Sequence, residues 1–348
     1  MYGEDTQTDK RVCPCYYVDM AKKLSQQQQR RIQSLQQKQY TEASNAEAML
    51  LTPVYAGLLI MRHGRQAWVE TTTGEMMMCH CRPQLTDLVA GDRVFLQSDL
   101  VGGGVIVAVQ PRSSAFYKTI AGQGKALAAN VTCLVIVFAT EPLPSPMLID
   151  KYLLAAAHLG IKPLLLSHKA DLRGTQDQIA TLNALYMRLG YELWETCLED
   201  AACIVALKTL LQDETSVFVG QSGVGKSSLI QCLVPDDDVR VGDISVLSKL
   251  GKHTTSNARL YHLPSGGHLI DSAGVRDLAI GDLSSWEIER GFIECRPLIG
   301  GCHFRDCQHQ HEPNCAFKEA VASGALHASR FASLMHFLGR TMETQREK

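Results

Sequence analysis

Short segments of alternating hydrophobic and polar residues follow one another between about residues 50 and 112. They are AGLLIMRHG, QAWVETTTGE, MMMCHCR, GDRVFLQS and GGGVIVAVQP, with Gly-containing turns between them. Five strands of this length joined by such turns favour a small β-barrel, and the OB-fold is the barrel that we predict.

The hydrophobic pattern changes after Phe116. Residues 131–140, VTCLVIVFAT, form a continuous apolar run, as in a strand that is covered on both faces. A Pro-rich turn and the apolar helical segment MLIDKYLLAAAHLG follow, and strands predicted at 163–167, 191–196 and 216–220 alternate with helices predicted at 175–189 and 199–211. This alternation predicts a doubly wound α/β domain with a parallel sheet.

The first residues of the chain lack this periodicity. Residues 22–39, KKLSQQQQRRIQSLQQKQ, are Gln-rich and basic, which is typical of a disordered tail or of a tail that orders on RNA. We therefore predict a multidomain chain: a polar basic tail (1–46), an OB-fold barrel (47–113), a central α/β domain (114–284) and a C-terminal helical segment (285–348).

Composition narrows the class of protein. Hydrophobic residues make up 45% of the 348 residues and charged residues 20%, as in globular rather than disordered proteins. No apolar run approaches the roughly 20 residues of a membrane span, and no signal peptide is recognisable, so we expect a cytoplasmic protein without a membrane partner. In that compartment the 12 cysteines are expected to be thiols or metal ligands. The net charge of −2 means that nucleic-acid binding would depend on local basic patches.

The segment GQSGVGKSS at 220–228 fits the phosphate-loop pattern G-x-x-x-x-G-K-[ST]. It follows a predicted strand and opens a predicted helix, so its backbone N–H groups and the helix N-terminus can surround a polyphosphate. Lys226 would reach the β- and γ-phosphates, and the Ser227 hydroxyl would bind Mg²⁺. A glycine turn without a ligand is the alternative, and the motif does not identify the base.

Two further segments suit a nucleoside triphosphate with Mg²⁺. GHLIDSAG ends a predicted strand with Asp271 and Gly274 at D-x-x-G spacing, where the carboxylate can hold Mg²⁺ through water and the glycine amide can meet the γ-phosphate. Between the two motifs, GKHTTSNARL offers Thr254 and Thr255, one of which could bind Mg²⁺ in a nucleotide-dependent switch. A plain hydroxyl-rich turn is the alternative for the threonines.

A candidate base-reading segment lies upstream of the phosphate loop. LLLSHKADLR at 164–173 ends a predicted strand with Lys169 and Asp171, and an aspartate in this position can accept from the N1 and N2 hydrogens of guanine. Chain order does not matter if the same parallel strands lie side by side, so we predict a GTPase domain with circularly permuted motifs. The predicted GTP-contacting residues are His168, Lys169, Ala170, Asp171, Gly220, Gln221, Ser222, Gly223, Val224, Gly225, Lys226, Ser227 and Ser228.

A Cys- and His-rich segment follows at 302–315, CHFRDCQHQHEPNC. Three thiolates and one imidazole suit a closed, tetrahedral structural Zn²⁺ site, for which we predict Cys302, Cys307, His309 and Cys315. Possible substitutes are Cys295, His303 and His311, and reduced cysteines without a metal are the alternative.

The permuted order, with a barrel before it and a metal segment after it, resembles the ribosome-small-subunit-dependent GTPases (RsgA, also called YjeQ). The matching stretches are LSQQQQRR, GDRV, AAN at 128–130, GQSGVGKSSL, GKHTT, ARLYHLPSGG, DSAGVR and the cysteine segment. The resemblance covers the chain from about residue 22 to its C-terminus. It implies a GTPase that binds the small ribosomal subunit and its rRNA late in assembly, with ribosome-stimulated hydrolysis, and we expect a monomer.

The resemblance also identifies candidate catalytic residues. The water-orienting glutamine that many GTPases have just after D-x-x-G is Val275 here, so hydrolysis should need help from elsewhere. His253 is the candidate that is consistent with the family, and a structural role for it is the alternative. Together with the phosphate-binding groups, the predicted catalytic residues are His253, Lys226 and Gly274.

The chain departs from the family at several positions. His168 stands where the family usually has an asparagine that contacts the base and braces the phosphate loop, and Ala273 replaces the usual proline. The stretch ETC at 195–197 differs from the usual Ser-Ala loop. An RNA- or ribosome-binding module with a degenerate nucleotide site is therefore an alternative function. An ATP-using enzyme is a third, disfavoured by Lys169 and Asp171.

Few aromatic side chains are available for base stacking in the predicted barrel, with Trp68 and Phe95 as the candidates. Phosphate contacts are more plausible than stacking, and the basic residues that could make them are Arg62, Arg65, Arg82 and Arg93.

Overall fold

A closed five-stranded barrel forms the first part of the chain that the structure describes. The structure is a computed structural model, and it describes residues 54–98, 103–120, 123–172, 178–234, 258–271 and 283–346. The barrel strands are β1 (Val54–His63), β2 (Gln66–Thr71), β3 (Met76–Cys81), β4 (Arg93–Ser98) and β5 (Gly104–Val109). They are ordered β1-β2-β3-β5-β4, and β4 pairs back with β1 to close the barrel. The predicted barrel is confirmed, and the parallel pairing of β3 with β5 fits the OB-fold.

The alternation in the barrel sequence has its expected structural basis. Every second residue of a strand faces the same side, so Ala67 and Val69 of β2 both point inward and are buried. Leu59, Leu96 and Ile106 from the other strands meet them in one apolar core.

A parallel sheet with one antiparallel strand forms the centre of the chain. Its strands are β8 (Cys133–Ala139), β9 (Lys162–His168), β10 (Leu193–Thr196), β11 (Thr215–Val219), β12 (Arg259–His262) and β13 (His268–Asp271). They are ordered β10-β9-β8-β11-β13-β12, and only β12 runs antiparallel to its neighbour in this part. All residues of β8 are buried, because helices cover both faces of the sheet. The predicted doubly wound fold is confirmed.

Helices cover the two faces of the sheet in pairs. α1 (Pro146–Leu159) and α2 (Gln178–Arg188) contribute to the apolar cluster on one face. α3 (Ala201–Leu210) and α4 (Lys226–Leu233) contribute to the cluster on the other face. The start of α1 is capped by Ser145, whose side chain accepts a hydrogen bond from the backbone N–H of Leu148, and the helix ends at Gly160 in the left-handed conformation.

The barrel is attached to the central sheet at two places. β1 pairs with β12 through Met61 and Arg259, which makes the barrel and the sheet one continuous ladder of strands. At the second place, the Asn130 side-chain amide donates to the Gly91 carbonyl oxygen over 2.8 Å. Asn130 follows a two-stranded hairpin formed by β6 (Ala115–Ile120) and β7 (Gln123–Ala129).

The C-terminal segment consists of short helices and one longer helix. These are α5 (Ser285–Gly291), a 3-10 helix (Ile293–Leu298), α6 (Ala316–Ala322) and α7 (Ala328–Arg346). They enclose a separate apolar cluster that includes Phe292, Phe317 and Phe337. Within the described ranges, no helix combines the length and the hydropathy needed to cross a membrane.

A buried ion cluster joins the C-terminal segment to the central domain. Arg330 of α7 is 1% exposed and pairs with the Asp150 carboxylate of α1 and, at 2.6 Å, with the Glu294 carboxylate. The Tyr186 hydroxyl donates to the same Asp150 carboxylate over 2.6 Å. Burial lowers the pKa of Arg330, but the two carboxylates more than offset this effect, so its pKa lies well above the ordinary value and the guanidinium stays charged.

Candidate nucleotide site and metal cluster

The sequence-predicted nucleotide residues lie at one edge of the central sheet. β8, β9, β11 and β13 run parallel, so their carboxyl ends meet at the same edge. The chain leaves β8 for β9 and β10 on one side, whereas β11 and β13 lie on the other side. The point where such an order reverses opens a crevice at the strand ends, which is the usual ligand-binding place in open α/β sheets.

The phosphate loop follows β11 and lies directly on the neighbouring strand. Gly220 has φ of 139°, and a Cβ at this position would be 2.0 Å from the Val137 carbonyl oxygen of β8, so only glycine fits. Val224 is fully buried in the apolar cluster below the loop. These two contacts fix the loop against the sheet, while Ser222 and Ser227 are exposed to solvent.

Lys226 begins α4 and lies inside the loop. Its Nζ donates to the carbonyl oxygens of Gly220 (2.8 Å) and Gln221 (2.6 Å), and the residue is 8% exposed. A buried ammonium group held by the loop and placed at a helix N-terminus provides a strong local attraction for phosphate oxygens. Together with the exposed Ser227 hydroxyl, this arrangement fits the predicted phosphate-binding residues.

The end of β9 contacts the phosphate loop directly. Lys169, at φ 58°, sends its Nζ to the carbonyl oxygens of Glu141 (2.8 Å) and Gly223 (2.9 Å). Asp171 is exposed in the short 3-10 helix that follows, Ala170–Leu172. The Lys-x-Asp segment and the phosphate loop, about 50 residues apart in the chain, therefore form one site.

His168, the last residue of β9, is packed between the phosphate loop and the end of β10. A Cβ on Gly225 would be 2.6 Å from the His168 Cδ2 and 2.9 Å from its Nε2, so the imidazole edge takes the space beside this glycine. On the other side, Nδ1 lies 3.2 Å from the Thr196 carbonyl oxygen and 3.0 Å from the Thr196 hydroxyl. The ring is 2% exposed, and burial lowers its pKa, which favours neutral imidazole at pH 7.

The predicted Mg²⁺ ligands are described in part. Asp271 is the exposed last residue of β13, which pairs with β11 through Val217 and Ile270, so its carboxylate lies on the strand beside the phosphate loop. Ser227 is described, whereas Gly274, His253, Thr254, Thr255 and the basic tail lie outside the described residues.

The four predicted zinc residues meet in the C-terminal segment. The Sγ atoms of Cys302, Cys307 and Cys315 and one nitrogen of His309 all lie within 4.8 Å of one another. His309 Nδ1 is 3.6 Å from Cys302, 3.6 Å from Cys307 and 3.3 Å from Cys315. With Zn–S and Zn–N bonds of about 2.3 and 2.0 Å, the edges of a tetrahedral site measure about 3.5–3.8 Å, so this donor set fits zinc.

The environment of the cluster suits a bound cation. The His309 Nε2 lies 3.3 Å from a Glu289 carboxylate oxygen of α5, which leaves Nδ1 as the nitrogen that faces the sulfurs. Burial raises the pKa of the Cys302 and Cys307 thiols, so a cation would be needed to keep them as thiolates. Cys295 is buried in the apolar cluster apart from the group, and His303 and His311 are exposed.

Sequence reasoning did not find three of the groups that organise these sites. The Glu141 carbonyl oxygen and the Thr196 side chain position Lys169 and His168, and Glu289 orients His309. The Pro-rich turn directly after β8 was a usable signal for the first, because it follows a parallel strand at the binding edge. Thr196 and Glu289 have no signal in the sequence.

Comparisons with known proteins agree with this geometry. The family described as RsgA GTPase matches residues 109–281. The chain is 44% identical to the small ribosomal subunit biogenesis GTPase RsgA of Azotobacter vinelandii, with 94% of this chain and 100% of that protein covered. It is 43% identical to the protein of the same name from Pseudomonas aeruginosa strain LESB58, with 93% and 99% covered.

Solved structures show the same architecture. YjeQ from Thermotoga maritima superposes with a TM-score of 0.67 at 29% identity, covering 83% of this chain and 99% of that chain. YloQ, described as a circularly permuted GTPase, superposes with a TM-score of 0.64 at 25% identity, covering 84% and 96%.

Proposed function

Because the chain belongs to the RsgA GTPase family, we propose that it hydrolyses GTP as a late assembly factor of the small ribosomal subunit. The observation that carries the proposal is the bridge from Lys169 to Gly223, which joins the Lys-x-Asp segment to the phosphate loop. One site can thus hold a guanine base at Asp171 and its phosphates at Lys226. The relatives named above are biogenesis GTPases of the small subunit, which supports the same partner for this chain.

The described residues divide the work of binding the nucleotide. The loop amides and the N-terminus of α4 would bind the phosphates, and the Lys226 Nζ would exchange its loop carbonyl partners for phosphate oxygens. Asp171 would accept from guanine N1 and N2. Mg²⁺, when bound with GTP, neutralises charge on the β- and γ-phosphates, and Ser227 and Asp271 are placed to hold it.

Hydrolysis needs a residue that positions water. Val275 has no polar group for this task, and His253 is the proposed helper. We expect rRNA of the bound small subunit to bring His253 to the γ-phosphate, with Gly274 donating its amide there. Equal turnover by wild type and His253→Ala on saturating small subunits would remove His253 from the mechanism.

The other parts of the chain would provide the contact with the ribosome. Arg65 and Arg93 are exposed on the barrel, whereas the Arg62 guanidinium donates to the carbonyl oxygens of Gly64 and Thr86, which makes the first two better phosphate ligands. The cluster of Cys302, Cys307, His309 and Cys315 would hold one structural Zn²⁺. In this proposal the protein acts as a monomer in the cytoplasm.

The decisive test is GTP hydrolysis by the full chain with and without purified small subunits. The proposal expects slow turnover alone and strong stimulation by small subunits, with Lys226→Ala inactive in both conditions. A chain that binds small subunits without any stimulated hydrolysis would contradict it.

Calorimetry with GDP, GTP and ATP separates the competing functions. Guanine preference supports the proposal. Absence of nucleotide binding supports the RNA-binding module that the His168 substitution suggests, and adenine preference supports an ATP-using enzyme.

A further inference from the structure

The hydrogen-bonding capacity of position 168 differs from that of the asparagine usual in the family. An asparagine amide carries two N–H donors and one acceptor, so it can brace a neighbouring loop and still donate to a base. A neutral imidazole carries one donor and one acceptor. The inference below concerns this difference, and it rests on the proposed guanine-nucleotide site.

The partners of His168 determine which ring nitrogen carries the hydrogen. Nδ1 lies 3.2 Å from the Thr196 carbonyl oxygen, which can only accept. An unprotonated Nδ1 would place its lone pair against that oxygen, so Nδ1 is the donor and the Thr196 hydroxyl oxygen is its second acceptor at 3.0 Å. Nε2 is then without a hydrogen in the neutral ring.

The remaining edge of the ring is taken up by the phosphate loop. Cδ2 and Nε2 lie against Gly225, where even a Cβ would be 2.6–2.9 Å from the ring. Guanine presents two acceptors, N7 and O6, on the edge opposite to the N1 and N2 side that Asp171 can read. An unprotonated Nε2 cannot donate to either of them.

We propose that this chain reads guanine from its N1 and N2 edge alone among the side chains of the Lys-x-Asp segment, and that His168 makes no hydrogen bond to guanine N7. His168 instead acts as a positioning residue. It ties the end of β10, through Thr196, to Gly225 of the phosphate loop, and it affects the nucleotide through these two neighbours.

The test compares GDP with 7-deaza-GDP, in which a C–H replaces N7, on the full wild-type chain at pH 8. The expected dissociation constants agree within about two-fold, because no hydrogen bond is lost. Inosine diphosphate, which lacks the N2 amino group, is the positive control and should bind about ten-fold more weakly through loss of an Asp171 contact. A preference of about five-fold or more for GDP over 7-deaza-GDP overturns the inference.

The matched variant is His168→Asn, which returns the second donor. We expect it to prefer GDP over 7-deaza-GDP by about five- to ten-fold, the effect of one net hydrogen bond. His168→Gln is the second amide variant if the first does not fold by circular dichroism. A folded amide variant that ignores N7 as the wild type does would show that residue 168 does not set this selectivity, and would overturn the inference.

The outcomes also separate this inference from the proposed function. If neither GDP nor 7-deaza-GDP binds, guanine recognition itself is wrong and the inference is overturned with it. If GDP binds tightly and only 7-deaza-GDP is weak, the guanine site stands and the account of His168 is wrong.

Discussion

The nucleotide site and the metal cluster hold their functional groups in place by different means. At the nucleotide site, strand ends of a sheet with buried faces carry the residues, and Gly220 and Val224 fix the loop to that sheet. At the metal cluster, the four ligands lie on turns around the 7-residue helix α6, and each thiol has another ligand group as its close neighbour.

This difference predicts different dependences on ligand. Apolar packing around β8 holds the nucleotide site together whether or not nucleotide is bound. The turns at 302–315 have few buried apolar side chains of their own, so their shape would depend on the ion. The two regions should therefore respond separately to damage, except where Arg330 joins them.

Arg330→Ala should have the largest effect, because it removes the link between the regions. The change leaves Asp150 and Glu294 buried without their cation, for which we expect a loss of about 3–5 kcal/mol in the free energy of unfolding. Urea unfolding measures it, with Arg305→Ala on the exposed surface as control. A loss below about 1 kcal/mol would mean that the cluster does not hold the segment to the central domain.

Cys307→Ser should damage the metal cluster and leave the nucleotide site intact. Losing one of four ligands should lower zinc affinity by more than the about 100-fold upper range for losing an outer partner. Zinc content after dialysis and limited proteolysis of the C-terminal segment measure this, and GDP affinity should stay within about three-fold. Cys232→Ser, at an exposed position on α4, is the control. Unchanged zinc content would contradict the assignment of Cys307.

Lys226→Ala is the reciprocal change. Loss of a charged hydrogen bond to phosphate should weaken GTP binding by about 10- to 100-fold, while zinc content and thermal stability of the C-terminal segment stay the same. Lys162→Ala, which removes a half-exposed ion pair with Glu192 at the other end of β9, is the matched control. Equal GTP affinity in the two variants would contradict the phosphate-binding role.

Glu289→Gln should have the smallest effect and sharpens the description of the cluster. The amide keeps a weaker partner for the His309 Nε2 and removes the carboxylate charge, so zinc affinity should fall by about ten-fold. Competition with a chelator measures it, with Glu319→Gln on the exposed face of α6 as control. An effect as large as that of Cys307→Ser would indicate that Glu289 is itself a ligand.

Local patterns were sufficient to predict much of the fold. The alternation in QAWVET gave a barrel strand with Ala67 and Val69 inside, and the glycine spacing predicted the loop on which Lys226 lies. The position of Lys169 beside that loop required a further step, because it depends on which strands are neighbours. The permuted-order hypothesis supplied that step from the rule for parallel sheets.

Contacts between distant segments were not predictable in the same way. Asp150 was visible as a charged residue in an apolar helical segment, but its partner Arg330 lies 180 residues further along the chain. The pairing of β1 with β12 depends on the fit of two finished units, and no periodicity encodes it. Such contacts arise from tertiary packing, which a single sequence does not show.

The two attachments of the barrel, at Met61 with Arg259 and at Asn130 with Gly91, have a mechanical consequence. Two fixed points define a line, and turning about that line is the motion that strains both least. β12 also borders β13, which ends at Asp271, so a shift of that strand would tilt the barrel about this axis. The barrel would then act as a pointer whose angle on a large partner depends on what is bound at the far edge of the sheet.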